Sequence, residues 1–147
     1  MKCYNPTLSG TMPIGINVTG SDLDIIMEIY DLNCFEKELC SLYQNERDFL
    51  IKRTKIRGKN VVKANFLYGG FEFEVFGQDE AVDKQYAYIH MKTEHELLQR
   101  YPQLTEQVKS LKDLGIKTEP AFCQLLNIEG DPYEALIYYG KKQGLIL

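Results

Sequence analysis

Hydrophobic and polar positions alternate through much of the first half of the chain and recur at helical spacing through the second. Residues 22–30 begin Asp-Leu-Asp-Ile and then turn continuously apolar, the pattern of a central strand buried on both faces. Residues 71–76 alternate cleanly: Phe71, Phe73 and Val75 share one face, and Glu72, Glu74 and Phe76 share the other. Residues 49–56 and 61–68 read as strands joined by the turn Arg57-Gly58-Lys59-Asn60, and Gly69-Gly70 supplies the next turn. A brief strand at 7–9 runs into Gly10, Pro13, Gly15 and Gly20, which punctuate the chain before Asp22.

Phe35, Leu39, Leu42 and Tyr43 predict an amphipathic helix over 33–45 with Asn33 as its N-cap. Further helices are predicted over 80–100, 103–114, 119–126 and 132–140, the last with Asp131 as N-cap and Pro132 at its first position. No linker, repeat or low-complexity stretch interrupts this order. It predicts one α+β domain, residues 1–147, whose mixed sheet is covered by the helices of the C-terminal half.

A chain of 147 residues can bury a real core without disulfides or structural metal. Its net charge of −4 argues against binding duplex DNA, which takes a surplus of Lys and Arg. No apolar run approaches the roughly 18 residues of a membrane span, and Met1-Lys2-Cys3-Tyr4-Asn5-Pro6 leads into no signal-peptide core, so a cytoplasmic protein is expected. Cys3, Cys34, Cys40 and Cys123 lack the spacing of a zinc knuckle, and no disulfide is predicted.

The chemistry concentrates on Asp22 and Asp24. Two apart on a strand, their carboxylates project from one face, where they repel unless a cation lies between them, and hard divalent ions take such oxygen ligands. Three other groups of residues stand out less. Lys52, Arg53, Lys55, Arg57, Lys59 and Lys63 form the densest basic region, which could meet a triphosphate or an RNA acceptor, although such a run is more often a solvated hairpin face. His90 and Glu94 share a helix face at the spacing of a surface hydrogen bond. Lys117 and Glu119 suit either a substrate pocket or the capping turn before Pro120.

The run from Gly10-Thr11 through Gly15 to Gly20-Ser21-Asp22-Leu23-Asp24-Ile25 resembles the defining motif of the DNA polymerase beta-like nucleotidyltransferase superfamily. Together with Phe73-Glu74-Val75-Phe76-Gly77-Gln78, Lys117-Thr118-Glu119-Pro120 and Gly130-Asp131-Pro132-Tyr133-Glu134-Ala135-Leu136, it is similar to an uncharacterised bacterial domain-of-unknown-function family assigned to that superfamily. The resemblance covers most of the chain and implies a nucleotidyltransferase-like fold. It also implies Mg2+ or Mn2+ held by Asp22, Asp24 and a third carboxylate on a later strand, Glu74 in preference to Glu72. Gly10, Thr11 and Ser21 would bind the nucleoside triphosphate, since small residues let backbone N–H groups approach phosphate.

Two departures matter. Ile14 stands where many minimal nucleotidyltransferases place an Arg, and the first strand lies almost at the start of the chain where the superfamily has a preceding helix. The second departure predicts a bare sheet side and homo-oligomers that cover it. The expected activity is transfer of a nucleoside monophosphate from a triphosphate to an unidentified hydroxyl acceptor. The alternative is a regulatory nucleotide-binding module with little or no turnover, such as an antitoxin-like partner of a HEPN-type toxin.

Overall fold

The computed structural model describes residues 1–147. They form two compact units, Met1–Gly10 with Asp22–Gln85, and Thr11–Ser21 with Tyr86–Leu147.

The first unit is a five-stranded sheet with one helix. In chain order its elements are β1 (Thr7–Ser9), β2 (Leu23–Glu28), α1 (Leu32–Tyr43), β3 (Arg47–Ile56), β4 (Lys59–Tyr68) and β5 (Phe71–Gln78), and the strands lie in the order β1-β2-β5-β4-β3. Only β2 and β5 pair in parallel; the other three pairings are antiparallel. The two hairpins turn on two residues each. Arg57-Gly58 and Gly69-Gly70 all have positive φ, the condition for the tight turns whose twist matches that of paired strands. The first turn is therefore shorter than its sequence predicts, and Lys59 and Asn60 belong to β4.

Strand alternation sorts the sheet into two faces. Ile25, Met27, Val62, Ala64, Phe66 and Val75 pack with Phe35 and Leu39 of α1 in one core, where Phe66 stacks between Tyr43 and Phe73 at ring separations of 4.6 and 5.3 Å. The opposite face carries Ser9, Asp24, Asn65, Lys63 and Glu74. Helix α1 starts two residues earlier than its apolar spacing suggests. Asp31, not Asn33, is the N-cap, and its side chain accepts a 2.9 Å bond from the Cys34 N–H. Both residue types cap well, but only Asp31 precedes the helical turn that buries Phe35.

The second unit contains α2 (Tyr86–Arg100), α3 (Leu104–Asp113), α4 (Thr118–Leu126) and α5 (Pro132–Lys142). Helix α2 begins later than the predicted 80, because residues 82–84 form a single 3-10 turn. Gln85 then hydrogen-bonds the carbonyls of Met27 and Glu80 within the first unit. The core of the second unit gathers Leu97, Leu104, Val108, Phe122 and Leu136 around Ile16, which is fully buried. Asp131 caps α5 through bonds from the Tyr133 and Glu134 N–H groups, with Pro132 at the first position.

His90 and Glu94 depart from the surface pair that their spacing predicts. They are 5% and 2% exposed. The His90 Nε2–H donates to the Tyr133 carbonyl at 2.7 Å, leaving Nδ1 facing the Glu119 carboxyl at 4.0 Å. Burial first, then the neighbouring Glu119, push the Glu94 carboxyl well above the usual carboxylate range, and its buried Oε1 has no hydrogen-bond partner. Burial likewise raises the Cys123 thiol to about 11.

Two expectations follow from this packing. A Cβ on Gly77 would lie 2.6 Å from both Ile29 Cδ1 and Phe35 Cε1, so Gly77→Ala should destabilise the protein by about 1–3 kcal/mol in urea titrations. A wild-type midpoint in that variant would mean that the α1 contact gives way freely. Because the folded state raises the pKa of Glu94, its proton favours folding below the unfolded value, and that contribution is lost as pH rises through the folded value. Glu94→Gln should therefore flatten the fall in stability as pH rises above the usual carboxylate range, measured by the same titrations. Parallel pH curves for the two proteins would contradict the assignment.

Candidate metal centre

The parallel pairing of β2 with β5 builds this site. Its register sets Asp24 directly opposite Glu74, so both side chains leave the same face of adjacent strands. Asp22 precedes β2 by one residue and stands two before Asp24. One carboxylate oxygen from each of Asp22, Asp24 and Glu74 lies within 4.8 Å of the other two, and all three residues are half-buried. Glu72, also on that face of β5, is exposed and outside the group.

The surroundings of the three acids fit a hard cation. Opposed carboxylates on neighbouring strands repel, and oxygen donors at this spacing suit Mg2+, Mn2+ or Ca2+ rather than a thiolate-seeking metal. Gly10, at the end of β1, leaves the space that Asp24 occupies. A Cβ there would lie 2.2 Å from Asp24 Oδ2, and the φ of +76° is itself unfavourable for any other residue. Ser9, opposite Asp24 in the β1–β2 register, is 1% exposed, and its hydroxyl has no partner.

Glu74 is held from the other side. Lys63 Nζ lies 2.8 Å from Glu74 Oε2, and Asn65, directly opposite in β4, donates to the same oxygen at 3.4 Å. Ser9 and Asn65 escaped the sequence reading. Asn65 was within reach of it: counting back from Gly69-Gly70 as a two-residue turn places Asn65 against Glu74.

The residues expected to meet a triphosphate divide between the units. Gly10 closes the first unit, while Thr11 and Ser21 bound the second unit's Thr11–Ser21 segment. Within that segment the Thr11 carbonyl accepts a 3.2 Å bond from the Ile16 N–H, and Ser21 Oγ accepts one of 2.8 Å from the Val18 N–H. Ile14, at the position where many minimal nucleotidyltransferases place an Arg, packs against the second unit's core. A groove of about 460 Å³ in that unit, lined by Ile14, His95 and Gln99 among others, contains no Lys or Arg to meet phosphate. Lys117 occupies the N-cap position of α4 without a side-chain capping bond, and Glu119 lies in the first turn.

Residues 1–139 match the family described as a domain of unknown function, DUF4269. The chain belongs to that family. No curated protein matches it. Among solved structures, this DUF4269 chain is similar to Cid1 poly(U) polymerase bound to MgATP, with a TM-score of 0.54, 13% identity, and coverage of 89% of this chain and 41% of that one. It is also similar to the GLD-2/RNP-8 complex, at TM-score 0.52, 14% identity, 80% and 46%, and to the polymerase core of TRAMP, at 0.52, 14%, 89% and 40%. The chain thus spans less than half the length of these structures. The fold, of α+β class, is like that of these structures.

Gly10→Ala should lower the melting temperature by several degrees, since backbone strain and the clash with Asp24 together cost about 1–3 kcal/mol. An unchanged melt would show that the Asp24 carboxylate does not need the space beside Gly10.

Proposed function

We propose that the protein is a metal-dependent nucleotidyltransferase that moves a nucleoside monophosphate from a nucleoside triphosphate to a hydroxyl acceptor. The convergence of Asp22, Asp24 and Glu74 within a nucleotidyltransferase fold carries this reading. Asp22, Asp24 and Glu74 would hold Mg2+ or Mn2+, which supplies charge neutralisation for the phosphates and the leaving pyrophosphate. Gly10, which lacks a side chain, leaves its backbone open to phosphate, and Thr11 and Ser21 add hydroxyl donors. In the transfer, the acceptor oxygen bonds to the α-phosphorus as the bond to pyrophosphate breaks. The acceptor proton passes to the Glu74 carboxylate. These roles make positioning and charge placement the main sources of acceleration.

The solved neighbours include a poly(U) polymerase and the polymerase core of an RNA surveillance complex, which supports an RNA terminus as one acceptor. A regulatory module that binds nucleotide without turnover is the second reading. The substitution of core-packed Ile14 for a phosphate-binding Arg favours it. Nucleotide binding with no release of pyrophosphate would select that second reading.

Asp22→Asn tests the metal assignment. Removing one of three clustered carboxylates should stabilise the metal-free protein by on the order of 1 kcal/mol. Metal at about a hundred times its dissociation constant should add about 2.7 kcal/mol to the wild type and little to the variant. Thermal melts with and without Mg2+ or Mn2+ and triphosphate measure both effects. A variant less stable than wild type, with neither protein responding to metal, would assign Asp22 a structural role.

A further inference from the structure

Two cations of the β3–β4 hairpin meet acids away from the metal centre. Arg53 meets Glu36 at 2.5 Å on the α1 side of the sheet, and Lys59 meets Glu80 at 2.9 Å. Lys52 and Lys63 differ. The β3–β4 register sets them directly opposite each other, and alternation puts both on the face that carries Asp24 and Glu74. Like charges in direct cross-strand register disfavour the sheet, so this pair is one that folding alone does not select. Lys52 is exposed and makes no ion pair, while Lys63, with its side chain 37% exposed, leans onto Glu74 Oε2.

The strand order gives this pair a direction. Gly10 abuts Asp24 from the β1 side of the acids, whereas Lys63 lies one strand beyond Glu74 and Lys52 two strands beyond, at about 4.8 Å per strand. In an in-line displacement, attacking and leaving oxygens approach phosphorus from opposite sides. With the triphosphate on the Gly10 side, the cations on the β4–β3 side belong to the attacking group.

We propose that Lys52 and Lys63 seat a phosphate of the acceptor, and that Lys63 becomes available for it when a divalent ion takes Glu74 from it. Metal and a phosphate-bearing acceptor then bind cooperatively, because each favours the state in which Lys63 has left Glu74. This coupling rests on the metal-dependent transferase reading. It places a phosphate close to the attacking hydroxyl, as in a nucleotide or the end of a single-stranded nucleic acid.

Calorimetric titration of the intact protein with Mn2+, alone and with a short single-stranded oligoribonucleotide, a nucleoside 5′-monophosphate or inorganic phosphate, tests the coupling. Without any phosphate compound, Lys63→Gln should tighten Mn2+ binding by about threefold to tenfold, the scale of a partly exposed ion pair and its field. With Mn2+ saturating, Lys52→Gln and Lys63→Gln should each weaken oligoribonucleotide binding several-fold, and Mn2+ should strengthen that binding in wild type and Lys52→Gln but not in Lys63→Gln. An equal loss for the monophosphate would identify the terminal phosphate as the group held. A loss confined to the oligoribonucleotide would identify the polynucleotide backbone. Wild-type affinities for Mn2+ and for every phosphate compound in both variants, while Asp24→Asn abolishes Mn2+ binding, would overturn the lysine proposal and leave the metal site standing. Failure of the wild type to bind Mn2+ would remove both.

Discussion

Asp24 and Glu74 oppose each other across the single parallel pairing of the sheet, and the surroundings of that pair follow from the need to place two carboxylates there. Parallel neighbours point the same way, so the register that aligns Leu23 with Phe73 and Ile25 with Val75 in the apolar core also forces the acids together on the other face. Slipping β2 by one residue would relieve the repulsion but turn Ile25 and Met27 out of the core. Burial of several large side chains, at about 1.5–3 kcal/mol each, outweighs the repulsion of half-exposed carboxylates. The hydrophobic register therefore holds the charged cluster in place.

The residues around this pair respond to it in different ways. Gly10 yields volume to Asp24, and Asn65 and Lys63 offset the charge of Glu74 from the neighbouring strand. Lys63 is partly exposed, so its attraction to Glu74 is modest and reversible. Glu94 shows the opposite case in the second unit. Its carboxyl is shut away from water beside Glu119, and its answer is to hold its proton. The half-buried acids of the sheet share a space where a cation fits, whereas the buried one holds its proton.

Much of the fold is legible in the sequence because its elements carry strong local signals. Residues 71–76 alternate without error, Asp131-Pro132 starts a helix for two separate reasons, and the Ser-Asp-x-Asp step brings two carboxylates onto one face by strand geometry alone. Less legible features depend on what lies opposite. Helical spacing places His90 and Glu94 on one face, but the same pattern describes a face turned to water and one turned to Tyr133 and Glu119. The partnership of Lys63 with Glu74 needs the antiparallel register of β4, which the two glycines of the intervening turn determine. Asp31 and Asn33 are both good caps, and only the position of the buried turn decides between them.

The central claim is that these three carboxylates share one divalent ion. Crystals of the protein soaked with Mn2+ and a non-hydrolysable triphosphate, measured for anomalous scattering, test it most directly. A peak at roughly 2.1–2.3 Å from an oxygen of each of Asp22, Asp24 and Glu74 is expected. A peak elsewhere, or no peak under conditions where the triphosphate is bound, would contradict the account.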